Sequence, residues 1–293
     1  MNQGVLYAVA AYVSWGLFPI YWRWLQAVPA LQVISHRMLW SCLLLGTFLI
    51  ISRQWRQFRA RALSWRSVRL YLLAALLVGC NWLIYIWAVN AGYIIETSLG
   101  YFINPLLSVL LAVCFLGEKL RPLQWLPVAL AAAGVLYLTF LYGRLPWIAL
   151  SLATTFALYG LVKKTAPLSS LYGLTLETAL LFPFALVYLL YCQASGQGAF
   201  LHSGERIDWL LLGGGAVTTL PLLLFATAAQ RIPLLLIGVL QYITPTMQFL
   251  LGIWVFHEPF SEHQLIGFGL VWMALIIFVA EQLLARRSRL ARA

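Results

Sequence analysis

The sequence predicts an all-α polytopic membrane protein of ten transmembrane helices in two inverted five-helix repeats. Three observations carry this. Of 293 residues, 63% are hydrophobic and 9% charged, with mean hydropathy +0.89; a soluble domain carries about 25% charged residues. The apolar residues fall into ten runs, each close to the about 20 residues that cross a bilayer as a helix. The second half repeats the first without a gap at an offset of 140 (258 − 118 = 140). Tyr101-Phe102-Ile103-Asn104-Pro105 reads against Gln241-Tyr242-Ile243-Thr244-Pro245, and Leu116-Gly117-Glu118-Lys119-Leu120 against Phe256-His257-Glu258-Pro259-Phe260. Duplication in so apolar a chain is a route to a two-sided membrane machine.

The expected spans are 4–24, 31–51, 70–90, 95–115, 123–142, 145–163, 169–192, 208–229, 233–256 and 264–284. Breaks between them carry turn or capping chemistry: Pro29, Pro122 just inside the fifth span, Gly143-Arg144, Pro167 and the loop 193–204. Ser261-Glu262-His263-Gln264 has capping-box spacing at the last span. The chain thus reads as one membrane domain, 1–293, with a first repeat over 4–142, a second over 145–284 and a basic tail, 285–293. Met1-Asn2-Gln3 lacks a basic n-region, so the first span is expected to be retained.

Basic residues set the orientation. With the N-terminus inside, cytoplasmic segments hold fifteen of them, and the far side receives only Arg23, Arg144 and Arg206. Both termini are then cytoplasmic, the Glu118 loop is cytoplasmic and the Glu258 loop external, so five-span halves insert with opposite polarity. The net charge of +11 borders spans instead of lining one soluble face, which excludes nucleic acid as a partner; the partners expected are the lipid bilayer and a small-molecule substrate. Cys42, Cys80, Cys114 and Cys192 are solitary and lack ligand or disulfide spacing. Ala131-Ala132-Ala133-Gly134, Gly213-Gly214-Gly215 and Gly267-Phe268-Gly269 permit close helix packing or a homodimer contact.

Charge inside a span is costly unless paired or facing water. Arg37 and Glu177 lie well inside spans and are related by the repeat offset (177 − 37 = 140), so they are expected to meet at a midplane cavity, directly or through water. The same cavity is expected to be lined by Trp15, Tyr21, Asn81, Trp82, Tyr85, Asn90, Tyr101, Asn104, Tyr159, Gln230, Gln241 and Tyr242, whose amides and phenols orient a substrate while the rings supply apolar surface. Pro105 and Pro245 recur at the offset and are expected as hinges, because proline in a span frees a carbonyl and bends the helix. Trp24, Trp55, Trp65, Trp147 and Trp209 read as interfacial belt residues. Glu96 reads as a helix cap, Glu118 and Glu258 as loop anchors. The run His257–His263 has no defined ligand spacing, and G-x-x-x-x-G-K-[ST] is absent from the chain, so neither metal nor other cofactor is expected and ATP drive would need a partner.

Trp15-Gly16-Leu17-Phe18-Pro19-Ile20-Tyr21-Trp22, Ser35-His36-Arg37, Leu99-Gly100-Tyr101-Phe102-Ile103-Asn104-Pro105-Leu106 and Gly117-Glu118 resemble the EamA family of the drug/metabolite transporter superfamily, bacterial inner-membrane permeases, over nearly the whole chain. The resemblance implies ten helices in two inverted repeats, a central substrate path and transport, with export favoured. Thr244-Pro245 in place of Asn104-Pro105, and Glu177 in place of Arg37, make the expected site asymmetric. The expected function is a secondary transporter of a small organic metabolite or drug working by alternating access; residue chemistry allows proton coupling through Glu177. A lipid-handling or sensory membrane protein is the alternative. An enzyme is not expected, because His36, His202, His257 and His263 are scattered and supply no convergent catalytic set.

Overall fold

The computed structural model describes residues 3–91, 93–143, 145–255 and 262–290, which form helices, turns and loops with no strand among them. In order these are α1 (Gln3–Gly16), α2 (Phe18–Trp24), α3 (Ala30–Ile51), α4 (Trp55–Ala62), α5 (Trp65–Asn90), α6 (Ile94–Leu116), α7 (Trp125–Tyr142), α8 (Trp147–Thr165), α9 (Ser170–Ala194), α10 (Glu205–Arg231), α11 (Leu234–Leu240), α12 (Ile243–Trp254) and α13 (Glu262–Leu290). Among the described residues, eight segments are long and apolar enough to cross a bilayer; α1–α2 and α11–α12 each count as one of them. With these helices the chain is a multi-pass membrane protein. Outside the described residues lie Arg144, Glu258, the run 256–261 with its capping-box Ser261, and the side chains of Asn90, Glu96 and His263.

Several boundaries correct the sequence reading. The run 4–24 breaks at Leu17, because Pro19 cannot donate the backbone bond that would continue α1. The run 233–256 breaks at Gln241-Tyr242, just before Pro245. A short helix, α4, occupies the segment read as a loop: its Phe58 and Ala62 are buried against Leu49, Tyr71 and Tyr172, while Arg56, Arg59 and Arg61 are exposed. The third span starts at Trp65, five residues earlier than expected, and α13 continues through the supposed tail to Leu290. Trp24, Trp55, Trp65, Trp147 and Trp209 are all exposed, as belt residues would be.

Contacts define two ends of the bundle. At one, Arg231 Nη1 donates to Gln3 Oε1 (3.0 Å), Lys164 Nζ to the Ile232 carbonyl (2.6 Å), and Gln230 Nε2 to the Leu168 carbonyl (2.8 Å). Since Arg53–Arg69 and Lys119–Arg121 also lie at this end, it is the basic end. At the opposite end, Gln32 Nε2 donates to the Gln197 carbonyl (2.7 Å) and Gln32 Oε1 accepts from Ala199 N–H (2.8 Å).

Small residues set how closely helices approach. A Cβ on Gly215 of α10 would lie 2.7 Å from the Trp40 carbonyl carbon and 2.9 Å from the Ser41 nitrogen of α3, both backbone atoms, and Ser41 Oγ donates to the Gly215 carbonyl (3.0 Å). Gly215→Ala is therefore expected to cost about 1–3 kcal/mol by overpacking, read as a lower melting temperature of the purified protein. Gly46→Ala, where nothing lies within 4 Å, is the control and should leave melting unchanged.

Candidate functional site

The two helix breaks face one cavity. Without a Pro19 N–H, the Trp15 carbonyl loses its helical donor, and Gln248 Nε2 from α12 donates to it instead (3.2 Å). One turn earlier, Thr244 Oγ1 donates to the Tyr12 carbonyl (2.9 Å). The Gln248 side chain thereby replaces a backbone bond where irregular chain meets the bundle interior, the condition under which it is tolerated at membrane depth.

The cavity has a volume of about 230 Å³. Its walls are helical faces at three- and four-residue spacing: Tyr12, Trp15, Pro19 and Trp22 from α1–α2; Thr97, Gly100, Tyr101 and Asn104 from α6; Gln241, Thr244, Pro245 and Gln248 from α11–α12. Arg37, Asn81, Trp82, Tyr85, Phe156 and Thr218 complete most of the lining. These positions lie close to the 25–29, 91–93 and 143–146 connections, so the cavity occupies the half of the bundle away from the basic end.

Toward the basic end an aromatic floor closes it. Trp15, Phe156 and Phe225 meet pairwise with ring centroids 5.6–5.7 Å apart, and Tyr159 stacks on Phe225 at 6.0 Å. Beneath that floor Lys163 Nζ contacts Glu177 Oε1 at 2.6 Å, and the Tyr159 hydroxyl donates to Glu177 Oε2 at 3.1 Å. The Lys163 ammonium also lies 5.4 Å from the Tyr71 ring centroid and 5.8 Å from that of Tyr159.

The expected meeting of Arg37 with Glu177 is corrected by this geometry. Arg37 is seven residues into α3 (37 − 30) and Glu177 seven into α9 (177 − 170), and the two helices start from opposite ends. At about 1.5 Å per residue each is about 10 Å deep, leaving about 10 Å between them in a core about 30 Å thick. Glu177 is satisfied by Lys163 and Tyr159 instead, below the cavity. Arg37 is held by other means. Its guanidinium carbon sits 4.6 Å from the ring centroids of both Trp22 and Trp82, and its Nε donates to Thr218 Oγ1 (2.8 Å). Insertion scales charge about 2.5–3.5 kcal/mol for such a residue at mid-helix. Two desolvated cation–π contacts of about 1–2 kcal/mol each offset most of that, so no carboxylate is required to keep Arg37 inside.

Of the residues singled out from sequence, Trp15, Arg37, Asn81, Trp82, Tyr85, Tyr101, Asn104, Gln241 and Pro245 line the cavity. Tyr21, Tyr159, Glu177, Gln230 and Tyr242 do not. The Tyr21 hydroxyl donates to the Leu210 carbonyl at the outer rim. Gln230 ties α10 to Ser170 and Leu168 at the basic end, and the Tyr242 hydroxyl donates to the Phe102 carbonyl (3.3 Å) on the far side of α11–α12. Pro105 lies beside that seam, with Gly238 packed on its carbonyl, inside an α6 that remains continuous. Asn90 falls outside the described side chains. Tyr12, Trp22, Phe156, Thr218, Thr244 and Gln248 were missed, as was Lys163 as the partner of Glu177.

Comparison with known proteins agrees with this architecture. Residues 2–140 match the EamA-like transporter family. The chain is 45% identical over 297 residues to the uncharacterized transporter YojE of Bacillus subtilis, covering 98% of this chain and 97% of that one. It is likewise 45% identical to the protein RarD of Streptomyces exfoliatus, with 98% and 92% covered. A solved crystal structure of 18% identity shares the fold at a TM-score of 0.67 over 94% of this chain and 96% of its own. Full-length likeness at this level, on a bundle of apolar helices around an internal cavity, places the chain in the EamA-like transporter family as a RarD-type permease.

Proposed function

We propose that this transporter is a secondary carrier that moves a small organic metabolite or drug across the bacterial inner membrane by alternating access, with the Arg37 cavity as its substrate site. The supporting observation is the pair of broken helices, α1–α2 and α11–α12, whose breaks both abut the cavity. Interrupted spans at a repeat interface are where carriers hold substrate. In this reading α8 and α13 join the eight longer segments to give ten spans in two inverted repeats, with both termini cytoplasmic. The helix pairings are consistent with such an axis. The offset carries α1 to α8 and α5 to α10; α1 packs on α10 as α8 packs on α5. The helices α3 and α9, α6 and α11, and α7 and α13 each pack on their own mates.

With the cavity away from the basic end and the floor closing it below, this conformation reads as outward-facing. Export follows from the family resemblance. A thermal-shift screen of metabolites and amphenicol drugs on the purified protein should find stabilising ligands, and those ligands should exchange across proteoliposome membranes. Arg37→Ala is expected to abolish that flux at unchanged reconstitution. Flux that persists in Arg37→Ala, or stabilising ligands that never cross, would remove the cavity from the transport path.

A further inference from the structure

We infer that the cavity selects small organic monoanions, a carboxylate on a flat apolar body, with the anionic group held by the terminal nitrogens of Arg37. This rests on the reading of the cavity as the substrate site and adds the chemical class it takes.

Arg37 is the one charged side chain among the described residues lining the cavity; no aspartate, glutamate, lysine or histidine joins it there. Its guanidinium carbon lies 4.6 Å from both the Trp22 and Trp82 ring centroids and its Nε–H is spent on Thr218, while neither terminal nitrogen has a protein acceptor among the described residues. A guanidinium held through its carbon and Nε keeps its terminal nitrogens free, the fork that matches a carboxylate with two parallel hydrogen bonds.

Neighbouring groups add donors that an anion can use. The Tyr12 hydroxyl is buried with no hydrogen-bond partner. Asn104 Oδ1 accepts from Ser108 Oγ (3.3 Å), and its amide nitrogen has no acceptor among the described residues. Asn81 spends its amide nitrogen on the Leu152 carbonyl (2.8 Å) and Thr155 Oγ1 (2.9 Å) and so belongs to the wall. A cationic solute would enter against the fixed positive charge of Arg37 in a low-dielectric site. A neutral one would leave that charge unneutralised. An anion supplies both the acceptors for the terminal nitrogens and a neutralising charge.

Size and surface narrow the class. About 230 Å³ lies below the about 300–1,000 Å³ of drug-sized pockets. The rings of Trp15, Trp22, Trp82, Tyr85, Tyr101 and Phe156 supply flat apolar walls. An aryl or short arylalkyl carboxylate fits this chemistry.

The test uses the full-length protein in lipid nanodiscs and matched isosteres: benzoate, benzamide and benzylamine, then 3-phenylpropanoate and its amide. Binding is read by tryptophan quenching and calorimetry. The carboxylates should bind about tenfold or more tighter than their amides, with benzylamine weakest. Arg37→Gln should erase that preference, so that each carboxylate and its amide bind alike, and Arg37→Lys should retain part of it. Equal affinity for carboxylate and amide in the wild type, tighter binding of the amine, binding by no carboxylate, or a preference that survives in Arg37→Gln would each overturn the inference. The wild-type comparison stands by itself should Arg37→Gln fail to fold. The two readings separate in proteoliposomes: a carboxylate that binds but never crosses removes transport through the site and leaves the anion preference intact, and flux of the amides without any carboxylate preference does the reverse.

Discussion

Lys163→Ala is expected to destabilise the purified protein by about 3–5 kcal/mol, the cost of stranding one charge of a buried pair. Lys163 is 0% exposed and its partner Glu177 2%, so neither has water to fall back on. With the ammonium gone, the carboxylate would keep only the Tyr159 hydroxyl, 3.1 Å away. Glu177→Ala should cost a similar amount, because Lys163 would retain only the faces of Tyr71 and Tyr159. Against a total stability of about 5–15 kcal/mol, either loss is a third or more. Lys163→Met combined with Glu177→Leu should recover most of it, since well-packed apolar groups of similar size replace such pairs at little net cost. Denaturant titrations of the four proteins in one lipid-detergent mixture make the comparison. Single variants that each cost less than about 1 kcal/mol would mean that the pair is hydrated and that the layer under the aromatic floor is not dry.

That pair also marks where the sequence stopped being readable. Eight of the ten expected spans were legible because hydropathy over about 20 residues measures the quantity the bilayer selects. Hydropathy is blind to a missing N–H, so the breaks at Leu17 and Gln241 were absorbed into continuous runs; Pro19 and Pro245 were the available signals. The helix α4 is too short and too arginine-rich for any span test, and only Phe58 and Ala62 hinted at its buried side. Arg37 was recognised from the rarity of charge inside a span. Its partner was not, because equivalence under a repeat offset is not contact: Arg37 and Glu177 each lie about 10 Å into helices that start from opposite ends of the bundle. Lys163 was counted among the charges bordering a span, though it is wholly buried. The missed lining residues had a periodic signal. Positions 12, 15, 19 and 22, like 241, 244, 245 and 248, recur at helical spacing, and apart from Pro19 and Pro245 all are polar or aromatic. Scanning each span for such a face would have found Tyr12, Trp22, Thr244 and Gln248.

Glu118→Ala is expected to shift the protein toward a form open at the basic end. The residue is positioned by local geometry. Gly117 ends α6 in the left-handed conformation at φ +63, and the chain turns so that Glu118 N–H returns to the Ala112 carbonyl (3.1 Å). Its carboxylate then crosses to α11, where Oε1 accepts from Leu234 N–H (2.8 Å) and Oε2 from Leu235 N–H (2.9 Å). Those donors are the unsatisfied first amides of a helix, and a carboxylate there also meets the positive end of its dipole. The contact ties the two halves together on the side where the cavity is closed, so it stabilises this state over one that opens there. Losing two charge-assisted bonds, partly replaced by water, should cost that state about 2 kcal/mol, or roughly thirtyfold in the ratio of the two forms. Hydrogen exchange reads the shift. Amides around 230–236 should exchange faster in Glu118→Ala, and those near 25–32 and 145–150 more slowly as the other end closes. Local fraying predicts only the first change, so absence of the reciprocal protection would count against alternation. The offset carries Glu118 to Glu258 and Leu234-Leu235 to Ile94-Ile95 in the sequence. If the halves are inverted copies, Glu258→Ala should displace the same equilibrium the other way, whereas two unrelated loop anchors would give no such opposition.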